Sequence, residues 1–266
     1  MDTLQLSLCY IAIKTAHIDE MVAFYTEVIG LHVLNYENEV VFLGTVKERQ
    51  PILMLIDDVD HDAKTEHHLD HFAFQIQSLD AFYDLLHRLN QAKIKYTTPS
   101  QQGSLIHFFC EDYDHNQVEF YYQGEHNIEM ILNHPAQPAV IEHDPVSMDK
   151  LQDVTLGHIH LSVPLLEETL MFYRDILSVT ILDDEEDRHH TTDENKETLL
   201  MTFDKKHETG VSPIDFIVFQ LPELQQLFEL KERLEHYHYD FYFNLGKQII
   251  QLWDANHISY WFQVAK

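Results

Sequence analysis

The sequence predicts an α+β chain of four βαβββ modules, and three observations carry that reading. Two segments align without a gap: Leu8–Lys14 running on to Phe24-Tyr25, and Leu156–Ser162 running on to Phe172-Tyr173. A second pair matches in the same way, Leu69–Gln75 with Ile214–Gln220, and each member precedes a stretch of helical period. Both of those later units close on an Asp-led turn and a strand, Asp112–Tyr121 and Asp254–Trp261. One supersecondary unit copied along a chain decides its architecture, so the repeat comes before any single motif.

Each element follows from local pattern. In the opening strands apolar side chains alternate, with Ile11 and Ile13 answering Ile159 and Leu161, which is the period of a half-buried strand. The helical stretch after each ends in Phe-Tyr, followed by Ile29-Gly30-Leu31 or Ile176-Leu177-Ser178, and strand pattern resumes at His32–Leu34 and Val179–Leu182. Over Leu79–Leu89 the residues Phe82, Leu85, Leu86 and Leu89 share one face; Leu224, Leu227, Phe228 and Leu234 do so over Leu221–Leu234. The modules run over about 5–59, 66–123, 153–206 and 211–264. The third is the poorest, its last strand reading as short or lost in Lys205–Gly210. Residues 1–124 are expected to form an N-terminal domain and 153–266 a C-terminal one. Between them, 125–152 carries Pro135, Pro138 and Pro145 and reads as a linker, opening with a short helix, His126–Leu132. The acidic run Asp183–Asp187 and the following Arg188–Asn195 read as exposed loop.

Composition narrows the function classes. A chain of 266 residues is long enough for two ordinary domains, each with a core. Its formal charge of −28, from 17 basic and 45 acidic side chains, repels nucleic acid and anionic membrane surfaces. No apolar run approaches a membrane span, and the N-terminus lacks the basic and apolar regions of a secretory signal. The expected location is therefore the cytoplasm. Cys9 and Cys110 are too few for a disulfide framework and read as buried free thiols. Many of the 20 histidines, His61, His67, His68, His189 and His190 among them, sit in polar runs, so their number alone does not argue for metal.

The module order resembles that of the vicinal oxygen chelate superfamily, which includes glyoxalase I, fosfomycin and bleomycin resistance proteins and extradiol ring-cleaving dioxygenases. Phe24-Tyr25 leading to Ile29-Gly30-Leu31 is similar to the family's typical helix ending. Asp112-Tyr113-Asp114-His115-Asn116, with Glu119 beyond, stands where the family usually has Asp-Pro-Asp-Gly-Asn. The resemblance covers nearly the whole chain. With Gly157–Leu161 opening the second half, it looks most like the two-domain, catechol-2,3-dioxygenase-like bacterial branch. It implies two glyoxalase-like domains with curved, partly open mixed sheets, in a monomer or a homodimer.

The family draws metal ligands from the first and last strands of its modules. First-strand positions here hold Tyr10, His71, His158 and Phe216; last-strand positions of the second and fourth modules hold Glu119 and Ser259. The resemblance thus implies His71, Glu119 and His158 as ligands, a 2-His-1-carboxylate set that suits Fe(II), with Mn(II) as alternative. This requires modules two and three to pair; pairing in sequence order gives Tyr10, His71 and Glu119 instead. A carboxylate within Val118–Tyr121 needs a partner or a metal if buried, whereas an edge strand would expose it. A lone His such as His158 is more often a hydrogen-bonded core residue. His160, on the same face, reads as structural support.

Departures limit the chemistry. Extradiol relatives usually carry a Tyr ten residues before the Glu ligand, and here that position is Phe109. Their acid–base His falls at Ile56. His107, on the strand face of Phe109, is the substitute acid–base candidate or a wall residue. Phe109, Tyr10 and Tyr121 are expected to line the substrate cavity. Glyoxalase I-like isomerases generally need four protein ligands, and three argue against that reaction. The expected activity is ring cleavage of a small catechol-like or dihydroxy substrate. The alternative is a non-catalytic small-molecule binder of the bleomycin-resistance type. In it Phe72, Phe74, Phe108, Phe109, Tyr121 and Tyr122 would stack on a flat ligand, unless they are core.

Overall fold

The computed structural model describes residues 4–47, 49–60, 69–124, 154–183, 188–192, 199–205 and 213–265. The expected linker 125–152, its helix 126–132 and much of the acidic loop lie outside the described residues.

Four modules are present. The first comprises β1 (Ser7–Thr15), α1 (Ile18–Ala23), β2 (His32–Glu37), β3 (Val40–Gly44) and β4 (Pro51–Asp57). The second comprises β5 (Leu69–Ile76), α2 (Leu79–Ala92), β6 (Ser100–Gln102), β7 (Leu105–Glu111) and β8 (Gln117–Gln123). The third has β9 (Val154–Val163), α3 (Leu166–Met171), β10 (Thr180–Asp183), β11 (His189–Thr192) and β12 (Leu199–Lys205). The fourth has β13 (Ile214–Leu221), α4 (Leu224–His236), β14 (Phe241–Asn244), β15 (Ile249–Trp253) and β16 (Ser259–Val264). Two expectations about the third module are corrected. Its last strand is complete to Lys205, and His189–Thr192 is a strand paired on both sides rather than loop. Its β-branched pair Thr191-Thr192 is buried, as strand propensity favours.

The strands form two eight-stranded mixed sheets, ordered β14-β15-β16-β13-β1-β4-β3-β2 and β10-β11-β12-β9-β5-β8-β7-β6. One sheet draws on modules four and one, the other on modules three and two. Within each of modules two, three and four the first strand runs parallel to the last. Among the described residues no helix is long and apolar enough to cross a membrane.

The chain forms two compact units: Met1–Lys14, His61–Asp70 and Gly157–Lys266 in one, Thr15–Asp60 and His71–Leu156 in the other. In the second, α2 buries Phe82, Leu85 and Leu89, and Phe82 meets Phe108 at 5.3 Å, itself stacked on Phe120 at 5.4 Å. In the first, α4 buries Leu227, Leu230 and Leu234, while Phe228, expected on that face, is exposed beside Phe243.

The Phe-Tyr phrases mark π-helical stretches, Phe24–Ile29 and Phe172–Ile176, in which the wider turn lets adjacent rings both point inward. The first ends on Gly30 at φ 96°, whose N–H donates to the Tyr25 carbonyl at 3.0 Å. Ser178 holds the same place at φ 55°. Helix ends leave carbonyls without partners, and here an arginine from the neighbouring module supplies the donors. Arg88 donates to the carbonyls of Val28 and Ile29, both at 2.8 Å. Arg233 donates to the Ile176 carbonyl at 3.1 Å and to Ser178 Oγ at 2.7 Å. Arg233→Met, which keeps the stem and removes these donors, is expected to cost about 2–4 kcal/mol, read as a lower denaturation midpoint in urea.

The Asp-led turns are the other fastening. Asp112 accepts the N–H groups of Asp114 and Asn116 and the Tyr25 hydroxyl, at 3.0, 2.9 and 2.8 Å. Asp254 accepts those of Asn256 and Ile258, both at 2.9 Å. Burial pushes both carboxyls up, from the ordinary 3.8 to about 6, with these hydrogen bonds opposing it. The folded state therefore binds both protons more tightly than the unfolded chain does. This contribution is fully present below pH 3.8 and is lost as pH rises to about 6. Relative to Asp112→Asn/Asp254→Asn, the wild type is expected to lose stability between pH 4 and 6, measured by denaturant titration across that window. Parallel pH profiles would refute it.

Candidate metal centre

Strand register assembles the site. On β8, Glu119 faces Phe109 of β7 and Ala73 of β5, while Tyr121 faces His107 and Gln75. His71 pairs with Gln117. Directly opposed residues share a face, so His71, His107, Phe109, Glu119 and Tyr121 line one side of this stretch of sheet. Phe72, Phe74, Phe108, Val118 and Phe120 alternate onto the other side, with α2. The aromatic wall weighed for ligand stacking thus divides. Phe72, Phe74 and Phe108 are core, at 0, 0 and 1% exposure, and Phe109 and Tyr121 face the site.

Glu119 is buried at 5% exposure, with a histidine at each oxygen. Oε1 lies 2.6 Å from His107 Nδ1, and Oε2 lies 3.5 Å from His71 Nε2. The first is a short, charge-assisted hydrogen bond. The second is too long for one. It is close to the separation of two donors sharing one ion, roughly 3.0–3.4 Å for bonds of about 2.1 Å. Phe109 sets its ring edge-on to both imidazoles, with centroids 5.2 Å from His71 and 5.6 Å from His107. Burial and the Glu119 charge push the Tyr121 hydroxyl up to about 12, so it stays a neutral donor.

Within one unit His71 and Glu119 present donor atoms to each other; within the other His160 does so with Asp70, and His158 lies two residues before it on β9. His160, buried, has Asp70 Oδ1 3.4 Å from Nδ1 and Asp204 Oδ2 3.3 Å from Nε2. Burial acts to raise the Asp204 carboxyl, but hydrogen bonds from His160 and Ser162 outweigh it and hold the group below its usual range. Asp70 and Asp204 escaped the sequence reading because each looks like an ordinary polar residue at the end of a strand.

Tyr10 is on β1, in the other sheet, with its ring edge-on to Phe216 at 6.2 Å. The last-strand position of the fourth module is corrected as well. On β16 Trp261, not Ser259, pairs with Val218 as Glu119 pairs with Ala73. Aligning the two Asp-led turns residue for residue gives the same answer, and that signal was in the sequence. Trp261 stacks on Phe216 at 4.6 Å and 19°. The ligand positions of modules one and four are therefore Tyr10, Phe216 and Trp261, an aromatic cluster without a metal donor of the His or carboxylate type.

Residues 7–120 match the family model described as Glyoxalase/Bleomycin resistance protein/Dioxygenase superfamily. Over that stretch the chain is similar to members of this superfamily. No curated protein matches the sequence significantly. Among solved structures, a proposed dioxygenase of Bacillus subtilis shares the fold with a TM-score of 0.71, covering 99% of this chain and 86% of that one at 12% identity. Glyoxalase I from Zea mays has a TM-score of 0.62, with 97% and 92% covered at 17% identity. The cppA protein of Streptococcus pneumoniae has a TM-score of 0.65, with 98% and 100% covered at 14% identity. At these identities the neighbours establish a two-domain glyoxalase-like fold. His71 of β5 and Glu119 of β8 are candidate donors for a divalent metal here.

Proposed function

We propose that His71, Glu119 and His158 hold one divalent metal, Fe(II) before Mn(II), and that the protein cleaves the ring of a small catechol-like substrate with O₂. The observation that carries this reading is Glu119, a buried carboxylate on an otherwise apolar strand with a histidine at either oxygen. A buried anion of this kind is costly unless paired or coordinated, and two imidazoles with one carboxylate form the facial set that leaves positions open for substrate and oxygen. When bound, the ion would lower the pKa of two vicinal substrate oxygens. The chain's own residues do the rest. Tyr121 offers a neutral hydroxyl on the site face, Phe109 walls off water beside both imidazoles, and His107 orients Glu119 through its Nδ1.

His107→Leu is expected to weaken metal binding about 10–100-fold, the usual effect of removing a ligand's hydrogen-bond partner, measured by competition with a metal-binding dye. The reading as a whole is tested by anaerobic loading with Fe(II), removal of free ion, and oxygen uptake with a panel of catechols. About one equivalent of iron with substrate-dependent oxygen uptake supports it. Stoichiometric iron without uptake favours the binder, which Phe109 in place of the family's Tyr, and Ile56 in place of its His, also favour. Absence of iron sinks the metal set and turns the reading to the non-catalytic binder, whose metal site is degenerate.

A further inference from the structure

The turn that ends α4 and the turn that follows β15 flank an open surface hollow of about 460 Å³. Three aromatic residues line it, Tyr237, Tyr239 and Trp253, together with the carboxylates Asp240 and Asp254. His238, His257 and Ala255 complete the lining, with neither Lys nor Arg among it. Trp253 and Tyr237 are 53% and 45% exposed, so their ring faces are not spent on the core. Asp254 is the reverse case, a buried carboxylate at 5% exposure.

The fold does not demand this lining. The matching turns of the second module are identified by the same backbone bonds: Lys93 to Asn90 and Ile94 to Leu89, against His238 to Glu235 and Tyr239 to Leu234. There Ala92, Lys95 and Glu111 stand where the fourth module has Tyr237, Asp240 and Trp253. Two positively charged lysines, 93 and 95, have given way to His238 and Asp240 at equivalent positions. Repeated architecture has been kept while the side chains changed from mixed charge to aromatic rings and carboxylates.

We propose that this hollow binds a small organic cation, an alkylammonium group held against Trp253 and Tyr237 and facing Asp240. Ring faces attract such cations through their quadrupole, and the attraction grows as the cation leaves water. Carboxylates supply the charge, and the protein's net −28 draws cations toward its surface. The site is independent of the metal reading, so either can fail alone.

The test uses the full chain carrying Trp261→Phe, which leaves Trp253 as its only tryptophan. Tetramethylammonium chloride is titrated at constant ionic strength against sodium chloride, with tert-butanol as a neutral probe of similar bulk, and tryptophan fluorescence is read. Saturable change with a low-millimolar midpoint is expected for tetramethylammonium alone, weakened about tenfold or more by Tyr237→Ala/Asp240→Asn, two exposed positions whose change leaves the core intact. An equal response to tert-butanol, a response unchanged in the double variant, or no saturation below about 100 mM overturns the proposal.

Discussion

Glu119→Ala is expected to take bound divalent metal from about one equivalent per chain to nearly none, a loss of affinity well beyond the roughly 10–100-fold of an outer hydrogen-bond partner. Glu119 is the only anion in the proposed set, and without it two neutral imidazoles face an uncompensated dication. His71→Ala and His158→Ala are expected to do the same, while Glu119→Gln keeps the volume and one acceptor and loses the charge. The metal-free Glu119→Ala protein loses the short bond to His107 as well as the buried carboxylate, so its melt is compared with that of metal-free wild type. Elemental analysis of the reconstituted variants, alongside thermal melts of the metal-free forms, separates ligand loss from unfolding. Tyr10→Phe is the decisive companion. Metal indifferent to His158→Ala but lost in Tyr10→Phe would replace the proposed set with Tyr10, His71 and Glu119.

The architecture was legible because it is repeated. Period-two strands recur, and the amphipathic helix and the Asp-led turn each appear twice, so one copy supports the reading of the other. What failed was non-local or too short to have a period. His189–Thr192 is a four-residue strand inside a polar run, and only its pairing with β10 and β12 reveals it. The aromatic strands could not be split into core and site until register put Phe108 with Phe82 and Phe109 with Glu119. Arg88 and Arg233 read as ordinary polar helix positions, since nothing local says that an arginine will reach carbonyls roughly sixty residues away in sequence. The candidate site was legible at His71 and Glu119, where a histidine and a carboxylate interrupt apolar strands. Its supporting groups were less so: His107 was noticed for its nearness to Phe109, but its short bond to Glu119 depends on β7 and β8 pairing in one register.

Phe120→Ala is expected to cost about 3–5 kcal/mol, the range for emptying a large buried ring, and to lower the melting temperature by about 10 °C or more. Its ring is fully buried, 5.4 Å from Phe108 and 5.7 Å from Phe74, on the sheet face opposite Glu119, one residue away. Phe109→Ala, on the site face and only partly buried, is expected to cost about 1–2 kcal/mol, with little effect on metal content. The contrast tests the register itself, since a one-residue slip of β7 would exchange Phe108 and Phe109 between core and site. Phe120 also bears on the proposed chemistry, because Glu119 is aimed by the strand that Phe120 anchors. Metal binding in Phe120→Ala should fall only as the unit unfolds, tracking circular dichroism with temperature, whereas in Glu119→Ala it should be absent while the fold is intact. Metal lost from a folded Phe120→Ala, or retained by an unfolded one, would separate the site from the sheet that is argued to hold it.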